Sequence, residues 1–147
     1  MNTFSLIKQI ISTVKDHPSS IASRKVRRRL LGCAPCMIFP CGFMDGASKC
    51  MIAGVGFCIF LNKTHHLEFS LGVGYGTNTK AELLSLWALL HSAQMMGIPL
   101  AHVFGDSIVI INWAKGSTAL SPPDLRNWGR ETKKLIGSFK DLSFSHI

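Results

Sequence analysis

Apolar residues recur at helical spacing at the start of the chain, where Phe4, Ile7, Ile11 and Val14, with Leu6 and Ile10 beside them, form one face that ends before Asp16-His17-Pro18. Residues 19–29 are polar and then basic, which reads as an exposed arm. From Met37 the pattern changes to short strand-like runs. Pro40 interrupts the first, so that strand begins after it and ends at Asp45; residues 54–61 form a second and 66–74 a third, with Asn62-Lys63-Thr64-His65 as the turn between them. Three consecutive strands joined this tightly predict an antiparallel meander.

Residues 81–96 place Leu83, Leu84, Leu86, Trp87, Leu90, Ala93 and Met96 at helical spacing, and Gly97 followed by Pro99 stops the run. Residues 100–105 are a fourth strand, entered from that helix and therefore parallel to the first. A helix over 107–114 follows despite its β-branched content, because the strand must turn at Asp106 and Lys115-Gly116 ends the segment. Pro122-Pro123-Asp124 opens another helix, with Leu125, Trp128, Leu135 and Phe139 on an apolar side and Arg126, Arg130, Lys133 and Lys134 largely on the other; Gly129 weakens it modestly. Residues 142–147 are a fifth strand. The order βββ-αβ-αα-β predicts an α/β fold, a five-stranded mixed sheet of three antiparallel strands and then parallel additions, with helices packed on it. The chain accordingly divides into an amphipathic helix and basic arm over 1–36 and a globular domain over 37–147.

A chain of 147 residues, 47% hydrophobic and 16% charged, can bury one ordinary core. Its formal net charge of +8 is unevenly placed: residues 1–40 carry seven Lys/Arg against one Asp, and residues 41–147 nine Lys/Arg against seven Asp/Glu. Such a field favours polyphosphate partners without selecting a base sequence. Five cysteines with no secretory signal predict reduced thiols in an intracellular protein, nuclear or cytoplasmic, and argue against a secreted disulfide scaffold. Cys33-x-x-Cys36 lacks the second paired spacing that a structural zinc site needs. The longest apolar stretch, 51–61, is too short for a bilayer, which takes about 20 residues. The amphipathic N-terminal segment is expected to dock on the domain or, through residues 1–16, on another polypeptide.

Three acids stand at the ends of predicted elements. Asp45 closes the first strand, Glu82 lies near the start of the long helix after Thr77-Asn78-Thr79-Lys80, and Asp106 closes the fourth strand. Singly, each has an ordinary role: Asp45 before Gly46 as a turn former, Glu82 as a first-turn acid favouring the helix dipole, Asp106 before Ser107 as a helix cap. In a strand-helix-strand arrangement they can also converge although 37 and 24 residues separate them. Phosphodiester hydrolysis needs an activated water, charge stabilisation on the phosphoryl oxygens and help for the leaving oxygen, all of which two divalent ions about 4 Å apart can supply. Mg²⁺ prefers oxygen ligands and keeps several waters, so a few carboxylates on rigid elements suffice.

Asp45-Gly46-Ala47-Ser48, then Thr77-Asn78-Thr79-Lys80-Ala81-Glu82-Leu83, then Phe104-Gly105-Asp106-Ser107, in this order and at these distances, resemble the type 1 ribonuclease H domain over roughly residues 39–147. The resemblance is in particular to plant RNase H-like domains at the ends of reverse transcriptases of retrotransposon or other retroelement origin. It implies the RNase H-like fold and a magnesium-dependent endonuclease, a hydrolase cutting the RNA strand of RNA/DNA hybrids, with Mn²⁺ able to substitute. Asp45, Glu82 and Asp106 would be its catalytic and metal-binding residues. Nucleic acid would be bound by backbone from Gly46, Ala47 and Ser48, by Asn78 near the metals, and by Ser107 facing the groove; the hybrid's 2′-hydroxyls in a shallow minor groove are what such polar groups would read. Two positions depart from the family pattern: Thr79 replaces a second Asn, and Lys49-Cys50-Met51-Ile52 replaces a glycine-rich turn. The connection over 115–121 is too short for the basic handle helix of some relatives. The family's last helix, with a fourth acid, would fall after Ile147, so the domain reads as C-terminally truncated and its turnover as impaired. The alternatives are a non-catalytic nucleic-acid-binding module and a retroelement-derived fragment, and the polypeptide met by residues 1–16 would then be a reverse transcriptase segment or another chain.

Overall fold

The computed structural model describes residues 15–18, 38–50 and 52–147; the expected helix over 4–14, the basic arm over 19–29, Cys33 and Cys36 lie outside them. The five predicted strands are present. They are β2 (Cys41–Met44), β4 (Ile52–Asn62), β5 (His65–Tyr75), β6 (His102–Gly105) and β7 (Ser143–His146). Two short strands join them: β1 (Lys15–Pro18) pairs antiparallel with β5, and β3 (Ala47–Lys49) pairs antiparallel with β4. The sheet order is β1-β5-β4-β2-β6-β7, with β3 off that path. As expected, β2, β4 and β5 form the antiparallel part, while β6 and β7 add in parallel.

Neither short strand has a period-2 signal of its own. Pro18 is the last residue of the edge strand β1, a position where a residue without an N–H is tolerated. After Asp45-Gly46 the backbone does not turn away as the sequence suggests; it continues along β4 until Cys50, whose φ of 53° makes the reversal.

Three helices follow: α1 (Asn78–Met95), α2 (Ile108–Ala114) and, after a 3₁₀ turn at Pro123–Leu125, α3 (Arg126–Gly137). The first starts earlier than its apolar spacing suggests, because the Thr77 hydroxyl accepts from Lys80 N–H at 3.2 Å and caps it. It is also less amphipathic than expected. Residues 81–90 are all buried, including Ser85, because α1 lies between the sheet and α3. Trp87 meets Trp128 edge to face at 5.3 Å, which joins the two helices. Beyond Met96, Gly97 takes a φ of 67° and ends the helix.

Strand alternation divides the sheet into two buried faces. Met44, Phe57, Ile59 and Val103 face the helices. Cys41, Phe43, Cys58, Phe60 and Phe104 cluster on the other face. Burial pushes the Cys41 thiol up to about 12 and the Cys58 thiol higher still, so both stay protonated and are poor nucleophiles.

Gly129 sits inside α3, where glycine is about 1 kcal/mol less favourable than alanine. A Cβ there would lie 3.4 Å from Trp113 Cζ2 and 3.8 Å from Leu120 Cδ1, which is ordinary contact. Gly129→Ala is therefore expected to stabilise the fold by about 0.5–1 kcal/mol, read from the urea midpoint; a lower midpoint would show that the contact cannot relax.

Candidate metal centre

The register of the two central parallel strands places two of the acids. Met44 of β2 is paired with Gly105 of β6, so Asp45 and Asp106, the next residue on each, leave adjacent strands side by side. Glu82 arrives from α1. That helix can come this close because residue 46 has no side chain: a Cβ on Gly46 would run into the Ala81 carbonyl and lie 2.6 Å from Glu82 N. The gap is used by a hydrogen bond in which Gly46 N–H donates to Glu82 Oε2 at 3.4 Å.

A second clasp lies one turn further along the helix. Asp45 N–H donates to Gly56 O at 2.9 Å, Gly56 N–H donates to Ser85 Oγ at 3.3 Å, and the Ser85 hydroxyl donates to Ala81 O at 2.8 Å. The backbone of Asp45 is thus tied through β4 to the turn of α1 that carries Glu82. Gly56 and Ser85 did not emerge as site residues from the sequence. The available signal was the pair Gly54 and Gly56 inside a strand, a pattern that marks close backbone approach.

Asp106 is held from behind. His146, paired with Gly105 across β6 and β7, donates from Nε2–H to the Asp106 carbonyl at 3.1 Å. His146 ends β7, and its contact with the Asp106 turn was not apparent from its sequence context. The helix cap is Ser107 rather than Asp106: its hydroxyl accepts from Ile110 N–H at 3.4 Å. Nor is Glu82 a first-turn acid, since α1 begins at Asn78.

One carboxylate oxygen from each of Asp45, Glu82 and Asp106 lies within 4.8 Å of the others. Glu82 is 9% exposed, and the two aspartates are half-buried. A bound cation would offset the mutual repulsion of three ionised acids this close. The donor set is all oxygen. Ligands about 2.1 Å from a Mg²⁺ ion are at most about 4.2 Å apart, a distance that small carboxylate rotations reach from here. The residues therefore fit a hard divalent cation.

The remaining candidate contacts are near neighbours of these acids along the chain. Gly46 is buried under α1, and Ala47 and Ser48 are backbone-paired to β4 within β3. Asn78 is exposed at the start of α1, and Ser107 is half-buried. Trp87, as its helical spacing suggested, and Trp113 belong to the core. Among the described residues no helix is long and apolar enough to cross a membrane.

Residues 44–147 match the reverse transcriptase-like family. The fold is shared with the RNase H1 of the halophilic archaeon Halobacterium salinarum, at 28% identity and a TM-score of 0.67 over 73% of this chain and 83% of that one. A compost-derived RNase H1 solved with an RNA/DNA hybrid is 26% identical, with a TM-score of 0.65 over 73% of this chain and 83% of that one. The foamy virus protease-reverse transcriptase, at 16% identity and a TM-score of 0.57 over 76% of this chain and 18% of that one, shares the fold alone. No curated protein matches the chain.

Proposed function

We propose, from the premise that this chain belongs to the reverse transcriptase-like family and carries an RNase H-like domain, that it hydrolyses the RNA strand of RNA/DNA hybrids. The observation that carries this reading is the convergence of Asp45, Glu82 and Asp106 within 4.8 Å at the ends of two parallel strands. Asp45 and Asp106 would hold a divalent ion between the strand ends, and Glu82 would complete its protein ligands from α1. Mg²⁺, or Mn²⁺ in its place, would supply water activation and charge neutralisation on the scissile phosphate.

The protein's part is placement. Gly46 N–H fixes the Glu82 carboxylate, the Asp45–Gly56–Ser85 linkage fixes helix against strand, and His146 steadies the Asp106 turn. Asn78 and the backbone of 46–48 stand on the elements that carry Glu82 and Asp45, where the RNA strand would meet them. Their polar groups suit 2′-hydroxyls, which only one strand of a hybrid presents. The motif sequence around the three acids further supports descent from a plant retroelement reverse transcriptase, and the hybrid intermediate of reverse transcription is the substrate expected there.

Purified protein incubated with hybrids labelled separately on each strand tests the activity. Cleavage of the RNA strand alone is expected, abolished by EDTA. Activity should be greater with Mn²⁺ than with Mg²⁺, since three carboxylates fix the ion's position only loosely and Mg²⁺ demands stricter octahedral geometry. Hybrid binding without RNA cleavage under either ion would instead favour the non-catalytic binding module.

A further inference from the structure

A cavity of about 320 Å³ opens between α3 and the C-terminal end of α2. Its floor is the buried set Trp113, Leu125 and Gly129, and its rim is Arg126, Arg130 and Lys133. The three cations differ in what they do. Lys133 Nζ donates to the carbonyls of Trp113 at 2.7 Å and Ala114 at 3.4 Å, and stands 4.7 Å from the Trp113 ring centre. It satisfies the last carbonyls of α2 and fastens α3 against that helix.

Arg126 and Arg130, one turn apart, are exposed on the same rim. Among the described residues neither guanidinium enters an ion pair, and the nearby Glu131 lies 3.4 Å from Lys134 Nζ. Two forked cations beside an apolar floor suit oxyanions that accept two hydrogen bonds at once.

The position relative to the three acids gives these cations a task. The seven residues of α2 begin one cap residue after Asp106 and span about 10 Å. A nucleic-acid strand advances about 3.4 Å per residue, so the length of α2 corresponds to about three nucleotides between the carboxylates and the cavity at its far end. We infer that the Arg126–Arg130 cavity is a second anchor for the nucleic acid at the metal centre, gripping phosphodiester oxygens by charge without reading base or sugar. The inference rests on the reading of the chain as a nucleic-acid enzyme. It assigns to α3 a grip that the short 115–121 connection has no room to supply.

Binding measured in EDTA separates this anchor from the metal site. The variant Arg126→Gln/Arg130→Gln is compared with the unaltered protein on an RNA/DNA hybrid, duplex DNA and single-stranded RNA across a salt series. The charge-matched control is Lys63→Gln/Lys140→Gln; Lys63 lies in the β4–β5 turn, toward the Cys41 end of β2 and away from Asp45. The arginine variant is expected to show a log–log salt slope shallower by about 2 and similarly weakened binding to all three ligands, with an unchanged melting temperature. The control should keep nearly the original slope. An unchanged slope in the arginine variant, an equal change in the control, or weakening confined to one ligand would overturn the inference. Loss of cleavage in a carboxylate variant with its EDTA-binding slope intact would bear on the metal centre alone.

Discussion

Asp106→Asn is expected to abolish metal-dependent stabilisation and to lower hybrid cleavage by about a hundredfold or more, a loss of the size that follows when a reacting group is misplaced by about 1 Å. In the metal-free protein the substitution removes one of three mutually repelling carboxylates, so the apo melting temperature is not expected to fall. A divalent ion at a hundred times its dissociation constant stabilises a fold by about 2.7 kcal/mol. The unaltered protein should therefore melt higher when Mg²⁺ or Mn²⁺ is added, whereas the variant should not respond. Calorimetric titration together with melting curves checks both halves. If Asp106→Asn retained the ion's affinity and its stabilising effect, the three acids would not form one metal site.

Gly46→Ala is expected to damage stability and activity together. The added Cβ would run into the Ala81 carbonyl and lie 2.6 Å from Glu82 N. Both obstacles are helix backbone, which cannot swing aside as a side chain can. Overpacking of this kind costs about 1–3 kcal/mol, and relief requires α1 to move away from β2. That movement would carry Glu82 from the aspartates and break its bond from Gly46 N–H. Cleavage should consequently fall about a hundredfold even where the variant remains folded. Gly72→Ala is the control, because nothing lies within 4 Å of a Cβ there. Urea denaturation and hybrid cleavage measured on both variants decide the matter. A Gly46→Ala protein of normal stability and activity would mean that the close approach of α1 is not required.

What could be read ahead of the structure follows from the range of the forces involved. Period-2 runs and helical spacing are local properties of the chain, so the five principal strands and three helices were legible in Cys41–Met44, in the alternation around Phe57 and Ile59, and in the Leu83–Leu90 spacing. The strand-helix-strand order likewise placed Asp45, Glu82 and Asp106 at element ends, where they could meet. Features that depend on a distant partner were not legible. Strand β1 exists by virtue of the β5 edge, and β3 by virtue of β4. The Gly56–Ser85 clasp and the bond from His146 to Asp106 join residues 29 and 40 positions apart, and no local pattern announces them. Residue types and spacing by themselves determined which elements form and which acids end them, because backbone hydrogen bonding and the facing of apolar side chains repeat over a few residues. Tertiary structure alone decided that Met44 pairs with Gly105, that α1 approaches to the distance a bare Gly46 allows, and that three carboxylates consequently share one cluster. Register and close contact between remote segments are set by packing, which is a property of the whole fold.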